Sequence, residues 1–157
     1  MKLAALFSGG KDSTYAIHLA KKLSHSVDVL LTLYPHSDES HLLHHPNIKF
    51  TTLQSESMGI PQLIEEIPSV ENETEFKKLE KLITLAKENH SIEGIVHGGI
   101  LSKYQKDNFS LICQKNDLEI ISPLWNKNAE SYMKELLEEN FEYIISSVSC
   151  DGLDDSW

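Results

Sequence analysis

A glycine-containing loop, Ser8–Ser13 (SGGKDS), directly follows the short apolar run Leu3–Phe7 near the start of the chain. A short apolar run that ends in a glycine turn is typical of a buried strand. Ser13–Leu23 then carries apolar residues at helical spacing. A strand, a tight turn and a helix in this order bring successive backbone N–H groups and the positive end of a helix to one place. The pattern therefore predicts an anion-binding turn at the carboxyl end of a strand.

The residue types within this loop suit a phosphate ligand. Its two glycines allow a sharp turn and a close approach of the backbone to the ligand. Lys11 supplies a full positive charge, while the hydroxyls of Ser8 and Ser13 can donate hydrogen bonds to phosphate oxygens. Asp12 would repel a bare phosphate, so we expect it to cap the helix or to contact Mg²⁺.

The loop differs from two common nucleotide-binding motifs. A Walker A loop needs a glycine five residues before its Gly-Lys pair, where this chain has Ala5. It also needs Ser or Thr after the lysine, where this chain has Asp12. The G-x-G-x-x-G dinucleotide pattern does not occur in the sequence.

Strand-like and helix-like segments alternate along the rest of the chain. The further predicted strands are Val27–Leu33, Ile48–Leu53, Ile92–His97, Leu118–Ile121 and Phe141–Val148. The further predicted helices are one that begins at Asn72-x-x-Glu75, then Ser102–Asn116 and Ala129–Asn140. We therefore predict a single α/β domain over residues 1–157, a doubly wound, mainly parallel sheet with helices on both faces. Ligands of such sheets bind at the carboxyl ends of the strands, where the strand order reverses.

Composition excludes several classes of function. The formal net charge of −10 argues against general binding to nucleic-acid backbones. No apolar run approaches the length of a membrane span. All 14 basic residues are lysines, so a phosphate here must be held by lysine, backbone N–H groups and hydroxyls rather than by arginine. The two cysteines, Cys113 and Cys150, form no spacing motif and indicate a reduced chain.

A loop rich in histidine follows the second predicted strand. It contains His36, His41, His44 and His45. No cysteine or well-placed carboxylate completes a tetrahedral zinc site, so we interpret these side chains as solvated loop histidines and keep zinc as the less favoured alternative.

The SGGKDS string, at the end of the first predicted strand, resembles the PP-loop of the N-type ATP pyrophosphatases. Members of that superfamily have an adenine nucleotide alpha hydrolase-like fold, cleave ATP between its α- and β-phosphates and transfer AMP. Further segments resemble one of its families, the diphthine–ammonia ligases (diphthamide synthetases). These segments are ESHLLHHPNI at 39–48, GIP at 59–61, GGILSKYQ at 98–105, PLW at 123–125, and GLD at 152–154 with Trp157.

The resemblance implies a cytoplasmic ligase that uses ATP, Mg²⁺ and ammonia. Such an enzyme amidates the carboxylate of diphthine, a modified histidine on elongation factor 2, and releases AMP and pyrophosphate. The expected ATP-binding residues are Ser8, Gly9, Gly10, Lys11, Asp12, Ser13, Leu33, His44 and Gly98, with Asp12 also the candidate Mg²⁺ ligand. The substrate-side or catalytic candidates are Ser102, Tyr104, Gln105, Lys106 and Trp125.

Diphthine carries a quaternary ammonium, and aromatic faces hold such groups. We expect Trp125 and Tyr104 to supply these faces, with packing in the core or in a lid as the alternative. Lys106 and Asn108 stand where the family has arginines. Lys106 keeps a charge without the fork of donors that arginine offers.

Two other functions stay open at this point. One is another PP-loop chemistry, either small-molecule amidation or tRNA thiolation. The other is a nucleotide-binding module completed by a partner chain. The second follows from the expectation that the family's acidic E-G-G-E-Y-E-T segment lies beyond Trp157.

Overall fold

The computed structural model describes residues 1–35, 48–67 and 72–145, in which strands and helices alternate. The strands are β1 (Lys2–Leu6), β2 (Ser26–Pro35), β3 (Gln62–Ile67), β4 (Gly94–Val96) and β5 (Glu119–Ile121). The α-helices are α1 (Lys11–Lys22), α2 (Thr51–Met58), α3 (Asn72–His90), α4 (Lys103–Lys115) and α5 (Ala129–Glu138), and a 3₁₀ turn at Ile48–Phe50 precedes α2. None of the described helices combines the length and the hydropathy that crossing a membrane requires.

The described strands form one parallel sheet in the order β3-β2-β1-β4-β5. The chain moves outward from β1 to β3 and then returns to place β4 on the other side of β1. The strand order therefore reverses between β1 and β4, which is where ligands of doubly wound sheets bind. The predicted parallel, doubly wound sheet is confirmed.

Alternating side chains of the central strand β1 face two separate layers of helices. Leu3 and Ala5 join a buried cluster with α1, whose members also come from β2, β4 and the residue after β1. Ala4 and Leu6 join a second cluster that contains buried residues of α3 and α4. Because both faces of β1 are buried, its continuous apolar run follows from the architecture.

A third cluster joins α5 to α1. Tyr15 of α1 packs with Leu124, Tyr132 and Leu136, and each of these side chains is at most 2% exposed. Glu139, just after α5, also accepts hydrogen bonds from side chains of α1. Helix α5 is therefore fixed relative to the helix whose N-terminus follows the SGGKDS loop.

The predicted strand Ile48–Leu53 is wrong, since this segment forms the 3₁₀ turn and the first residues of α2. Short apolar runs do not distinguish a strand from a helix by periodicity alone. Here Thr51 and Ser55, four residues apart, are the buried side chains of α2, while Leu53 is 61% exposed. Gly59, at a φ of 64°, ends the helix in the left-handed conformation.

The described part of the predicted strand Phe141–Val148 is also not a strand, because residues 141–145 form no sheet pairing. Phe141 and Tyr143 pack against the cluster between α1 and α5 instead. Ile144 and Ile145 are 92% and 75% exposed, so the apolar run does not mark a buried element here.

Gly98 brings the turn after β4 against the first turn of α1. A Cβ atom placed on Gly98 would lie 2.5 Å from the carbonyl carbon of Asp12 and 2.7 Å from the nitrogen of Ser13. Both neighbours are backbone atoms, so the site admits only glycine without a shift of the helix or the turn. The end of β4 and the end of β1 are thereby held together at the point where the strand order reverses.

His97, immediately before this glycine, ties the ends of β4 and β5 together. Its ring is 2% exposed, and its Nδ1 accepts a hydrogen bond from the N–H of Gly99 at 3.1 Å. The proton of the neutral ring is therefore on Nε2, which lies 2.7 Å from Ser122 Oγ and donates to it. Burial, together with the positive charge of Lys106, lowers the pKa of His97 to about 4.

This depressed pKa predicts a dependence of stability on pH. Between pH 6.5 and 4 the unfolded chain binds a proton at His97 that the folded chain does not, so the free energy of unfolding falls as the pH falls through this window. Between pH 6.5 and 5 the loss should reach roughly 2 kcal/mol. Urea unfolding at several pH values measures it.

Replacing His97 by Gln should flatten this part of the pH profile. Identical slopes for the wild type and His97→Gln would contradict a neutral, buried imidazole.

Candidate functional site

The SGGKDS loop lies between β1 and α1, at the reversal of strand order. Gly9 adopts a φ of 77°, a conformation in which L side chains are strained. Gly10, in an extended conformation, occupies the position before α1 and has no side chain with which to cap it. The first N–H groups of α1 therefore face the loop together with the positive end of the helix dipole. The predicted strand, turn and helix are all present.

Two loop hydroxyls hold the turn closed. Ser8 and Ser13 are 8% and 6% exposed, and their Oγ atoms lie 3.0 Å apart. The Ser13 hydroxyl also donates to the carbonyl oxygen of Gly10 at 3.0 Å, and Thr14 donates to the same oxygen. These hydroxyls, which the sequence suggests as phosphate donors, have hydrogen-bond partners within the loop in this structure.

Helix α2 supports the loop from the side. The side-chain amide of Gln54 donates to the carbonyl oxygen of Gly9 at 3.0 Å. A Cβ on Gly9 would lie 2.4 Å from Gln54 Oε1 and 3.0 Å from Thr51 Cγ2. The absence of a side chain at Gly9 therefore permits both the turn and the contact with α2.

The charged residues of the loop are paired. Lys11 Nζ donates to Asp12 Oδ1 at 2.8 Å, and Tyr132 of α5 donates its hydroxyl to the same oxygen at 2.6 Å. The side chains of Lys11 and Asp12 are 34% and 37% exposed. Both are accessible enough to contact a ligand at the loop.

The donor set suits Mg²⁺ only together with phosphate. No group of three or more His, Cys, Asp or Glu side chains within the described ranges is arranged to hold a metal ion. Mg²⁺ in nucleotide sites commonly takes one or two carboxylates and completes its shell with phosphate oxygens and water. Asp12 offers one such carboxylate, so the residues present fit a magnesium–nucleotide complex.

Two of the substrate-side candidates shape the start of α4. The Ser102 hydroxyl oxygen accepts a hydrogen bond from the Gln105 N–H at 3.3 Å and so caps the helix. Gln105 Oε1 would lie 3.5 Å from a Cβ placed on Gly99, so its side chain sits beside the turn after β4. Ser102 therefore has a structural role here, while Gln105 lies next to the loop region.

The aromatic candidates lie on neighbouring elements but make different contacts. Trp125, in the turn after β5, has the ammonium of Lys106 at 4.3 Å from its ring centroid. Tyr104, in the first turn of α4, is 45% exposed and packs edge-on against Phe76 of α3 with 6.0 Å between ring centroids. One face of Trp125 therefore already carries a cation that comes from the chain itself.

The remaining predicted residues fall in the core or outside the described ranges. The side chain of Leu33 is 1% exposed and belongs to the cluster with α3 and α4, so any contact with a ligand would go through its backbone. Cys113 is buried, which raises the pKa of its thiol to about 11, in keeping with an inert thiol. The residues outside the described ranges are His36, His41, His44, His45, Cys150, the 152–154 segment and Trp157.

Sequence reasoning missed three residues that reach the site or its supports. They are Gln54, His97 and Tyr132. Each lies far along the chain from the loop and belongs to none of the motifs quoted above. The helical pattern of 129–140 places Tyr132 at an apolar position, but only the fold shows that its partner is Asp12.

The curated relatives that this chain resembles are named diphthine–ammonia ligases. A diphthine–ammonia ligase from Rattus norvegicus is 33% identical over 98% of this chain and 64% of its own length. Its counterpart from Homo sapiens is 31% identical with the same coverage, and that of Saccharomyces cerevisiae is 28% identical over 87% of this chain and 22% of its own length. The chain thus spans less than two thirds of the length of these relatives.

A solved structure described as a predicted subunit of tRNA methyltransferase from Methanocaldococcus jannaschii shares the fold. It has a TM-score of 0.53 and 18% identity over 97% of this chain and 82% of its own chain. The family model for the diphthamide synthase N-terminal domain matches residues 1–120, which include the loop, the turn at Gly98 and the first turn of α4. The chain belongs to the diphthamide synthase N-terminal domain family.

Proposed function

We propose that this chain is an AMP-forming ligase of the cytoplasm that activates the carboxylate of diphthine with ATP and passes it to ammonia. Its protein substrate would be elongation factor 2, and its products the amide, AMP and pyrophosphate. Membership of the family supports the reaction class, and the names of the relatives support diphthine and ammonia as substrates.

The observation that carries the proposal is the position of the SGGKDS loop at the reversal of strand order. Gly98 presses the turn after β4 onto the backbone of Asp12 and Ser13, and Gln54 holds Gly9 from the other side. The start of α1 is therefore a rigid cradle of N–H groups, which suits the pyrophosphate end of ATP.

The charges at the loop favour a leaving pyrophosphate. Lys11 and the positive end of α1 supply the attraction, because the chain contains no arginine that could do so. Stabilising charge that develops on a leaving group is the main way in which such fixed donors accelerate a reaction. Mg²⁺, which Asp12 would hold together with phosphate oxygens, would share this charge.

The chemistry requires activation because a free carboxylate is a poor electrophile. Attack of a carboxylate oxygen on the α-phosphorus forms an acyl-adenylate and expels pyrophosphate. Ammonia then attacks the acyl carbon, AMP leaves with the bonding electron pair, and the nitrogen loses a proton. The residues of this chain would orient the nucleotide and keep the mixed anhydride away from water.

The acceptor would lie on the side of Trp125. Trp125 lies in the turn after β5, at the ligand edge of the sheet. Its backbone N–H donates a hydrogen bond to the Ser122 carbonyl oxygen at 3.1 Å. Since Lys106 lies over the ring in this structure, the ring face has the geometry to receive a cation. A quaternary ammonium of the acceptor would replace Lys106 there or use the opposite face.

The products of turnover test the reaction class. With ATP, Mg²⁺, ammonia and diphthine-containing elongation factor 2, the nucleotide product should be AMP, released in equal amount with pyrophosphate. Anion-exchange chromatography separates AMP from ADP. Formation of ADP as the main nucleotide product would refute the proposed AMP-forming mechanism.

Replacing Lys11 by Ala should weaken ATP binding at least about tenfold, roughly 1.4 kcal/mol, because no arginine is present to take over its charge. Isothermal titration calorimetry measures this affinity. Lys21→Ala removes the same charge from the exposed end of the same helix and should change ATP affinity less than about twofold. Equal affinities of the Lys11→Ala variant and the wild type would remove the loop from the nucleotide site.

Replacing Trp125 by Leu should lower acceptor-dependent turnover severalfold while ATP affinity stays within about twofold, roughly 0.4 kcal/mol. The reason is that the aromatic face is lost while the loop is unchanged. Turnover, ATP affinity and the urea midpoint are measured on the same preparation. A large fall in the urea midpoint with normal turnover per folded molecule would instead assign Trp125 to packing.

A further inference from the structure

Tyr132 lies on α5, far from the loop in sequence, yet it contacts both charged side chains of the loop. Its hydroxyl donates to Asp12 Oδ1 at 2.6 Å, and the same oxygen accepts from Lys11 Nζ at 2.8 Å. Lys11 Nζ also lies 5.8 Å from the centroid of the Tyr132 ring. One carboxylate oxygen is therefore shared between a charged donor and a neutral one.

The ring of Tyr132 is fixed in place. It is 2% exposed and packs with Tyr15, Leu124 and Leu136, with its centroid 5.8 Å from that of Tyr15. Tyr132 is thus a hydroxyl donor held in the core by packing and aimed at a carboxylate that is itself 37% exposed.

We propose that Tyr132 is a positioning residue for the phosphate-binding loop, because its hydroxyl holds Asp12 when Lys11 leaves that carboxylate for a phosphate. This inference rests on the proposed binding of ATP at the loop. In this role Tyr132 of α5 does not contact the ligand. It allows Lys11 to leave Asp12 for the ligand.

A phosphate bound at the loop changes the balance of charge around Asp12. Lys11 can serve a phosphate only if it gives up its ion pair with Asp12, which would leave an anionic carboxylate beside an anionic ligand. Hydrogen bonds to an ionised acceptor are roughly twice as strong as neutral ones. A donor that stays on Asp12 Oδ1 disperses its charge, keeps its orientation and weakens its hold on the lysine.

A double-mutant cycle tests this role through Asp12. ATP affinity is measured by calorimetry for the wild type, Tyr132→Phe, Asp12→Asn and the double variant, with Mg²⁺ and with a chelator that removes divalent cations. Tyr132→Phe should weaken metal-free ATP binding by about three- to tenfold. In the Asp12→Asn background the same change should alter affinity by less than about twofold, since no carboxylate remains to be held.

Tyr143→Phe is the matched control, because Tyr143 packs against the same cluster and this change also removes one phenolic hydroxyl. It should leave ATP affinity unchanged. Urea unfolding of every variant separates a loss of fold from a loss of binding.

The outcomes are distinguishable. A wild-type chain that binds no ATP, with or without Mg²⁺, overturns the proposed function and the inference with it. A wild type that binds ATP while Tyr132→Phe has unaltered affinity overturns the positioning role alone. So does a loss of equal size in the Asp12→Asn background, because it would show that Tyr132 acts through packing.

Discussion

The close approach between Gly98 and the first turn of α1 is the constraint on which the site depends. A parallel sheet brings the ends of β1 and β4 to one edge, but it does not by itself press one connection onto another. The missing side chain at Gly98 lets the backbone of that turn rest on the backbone of Asp12 and Ser13. The neutral ring of His97 then fixes the same turn to the end of β5. The position of the loop thus depends first on a contact between two stretches of backbone, to which side chains add hydrogen bonds.

Elements that are distant in sequence share the support of the loop. Helix α2 holds Gly9 through Gln54, and helix α5 holds Asp12 through Tyr132. The loop itself carries one lysine and one aspartate, in a chain whose net charge is −10 and which lacks arginine. A site of this kind attracts an anion by the local arrangement of few charges and a helix end, against the sign of the whole molecule. Because the loop has so few charges, the hydrogen-bond partners of Asp12 affect anion binding here more than they would in a site that contains several arginines.

The local parts of this fold could be predicted from the sequence, because they depend on residues close together in the chain. The apolar run before a glycine turn and the helical spacing after it identified β1, the loop and α1. The strand β3 was missed because its residues include Gln62, Glu65 and Glu66, and a strand at the end of the described sheet tolerates such side chains. The neighbouring segment that starts at Ile48 looked more like a strand and is a turn followed by a helix.

The site residues likewise divide into those that a local pattern indicates and those that only the fold brings together. The loop residues and Gly98 were identified by pattern and by resemblance, and they lie together in the structure. The contacts of Gln54, His97 and Tyr132 arise between elements that only the folded chain brings together, so no local pattern could indicate them. Leu33 was also expected among the ATP-binding residues, but alternation along β2 turns its side chain into the core.

The hydroxyls of Ser8 and Ser13 are bonded within the turn, so the loop can hold the oxygens of a ligand with its main-chain N–H groups as well as with Lys11. Every residue type except proline carries a main-chain N–H, so most substitutions around the loop leave those donors in place. A single added carbon at Gly98 does not, because it would occupy space now filled by the backbone of Asp12 and Ser13, whereas Gly9 is required for its φ of 77°. Over evolutionary time such a loop can exchange its neutral side chains and keep its ligand, while Lys11 and the two glycines leave little room for change.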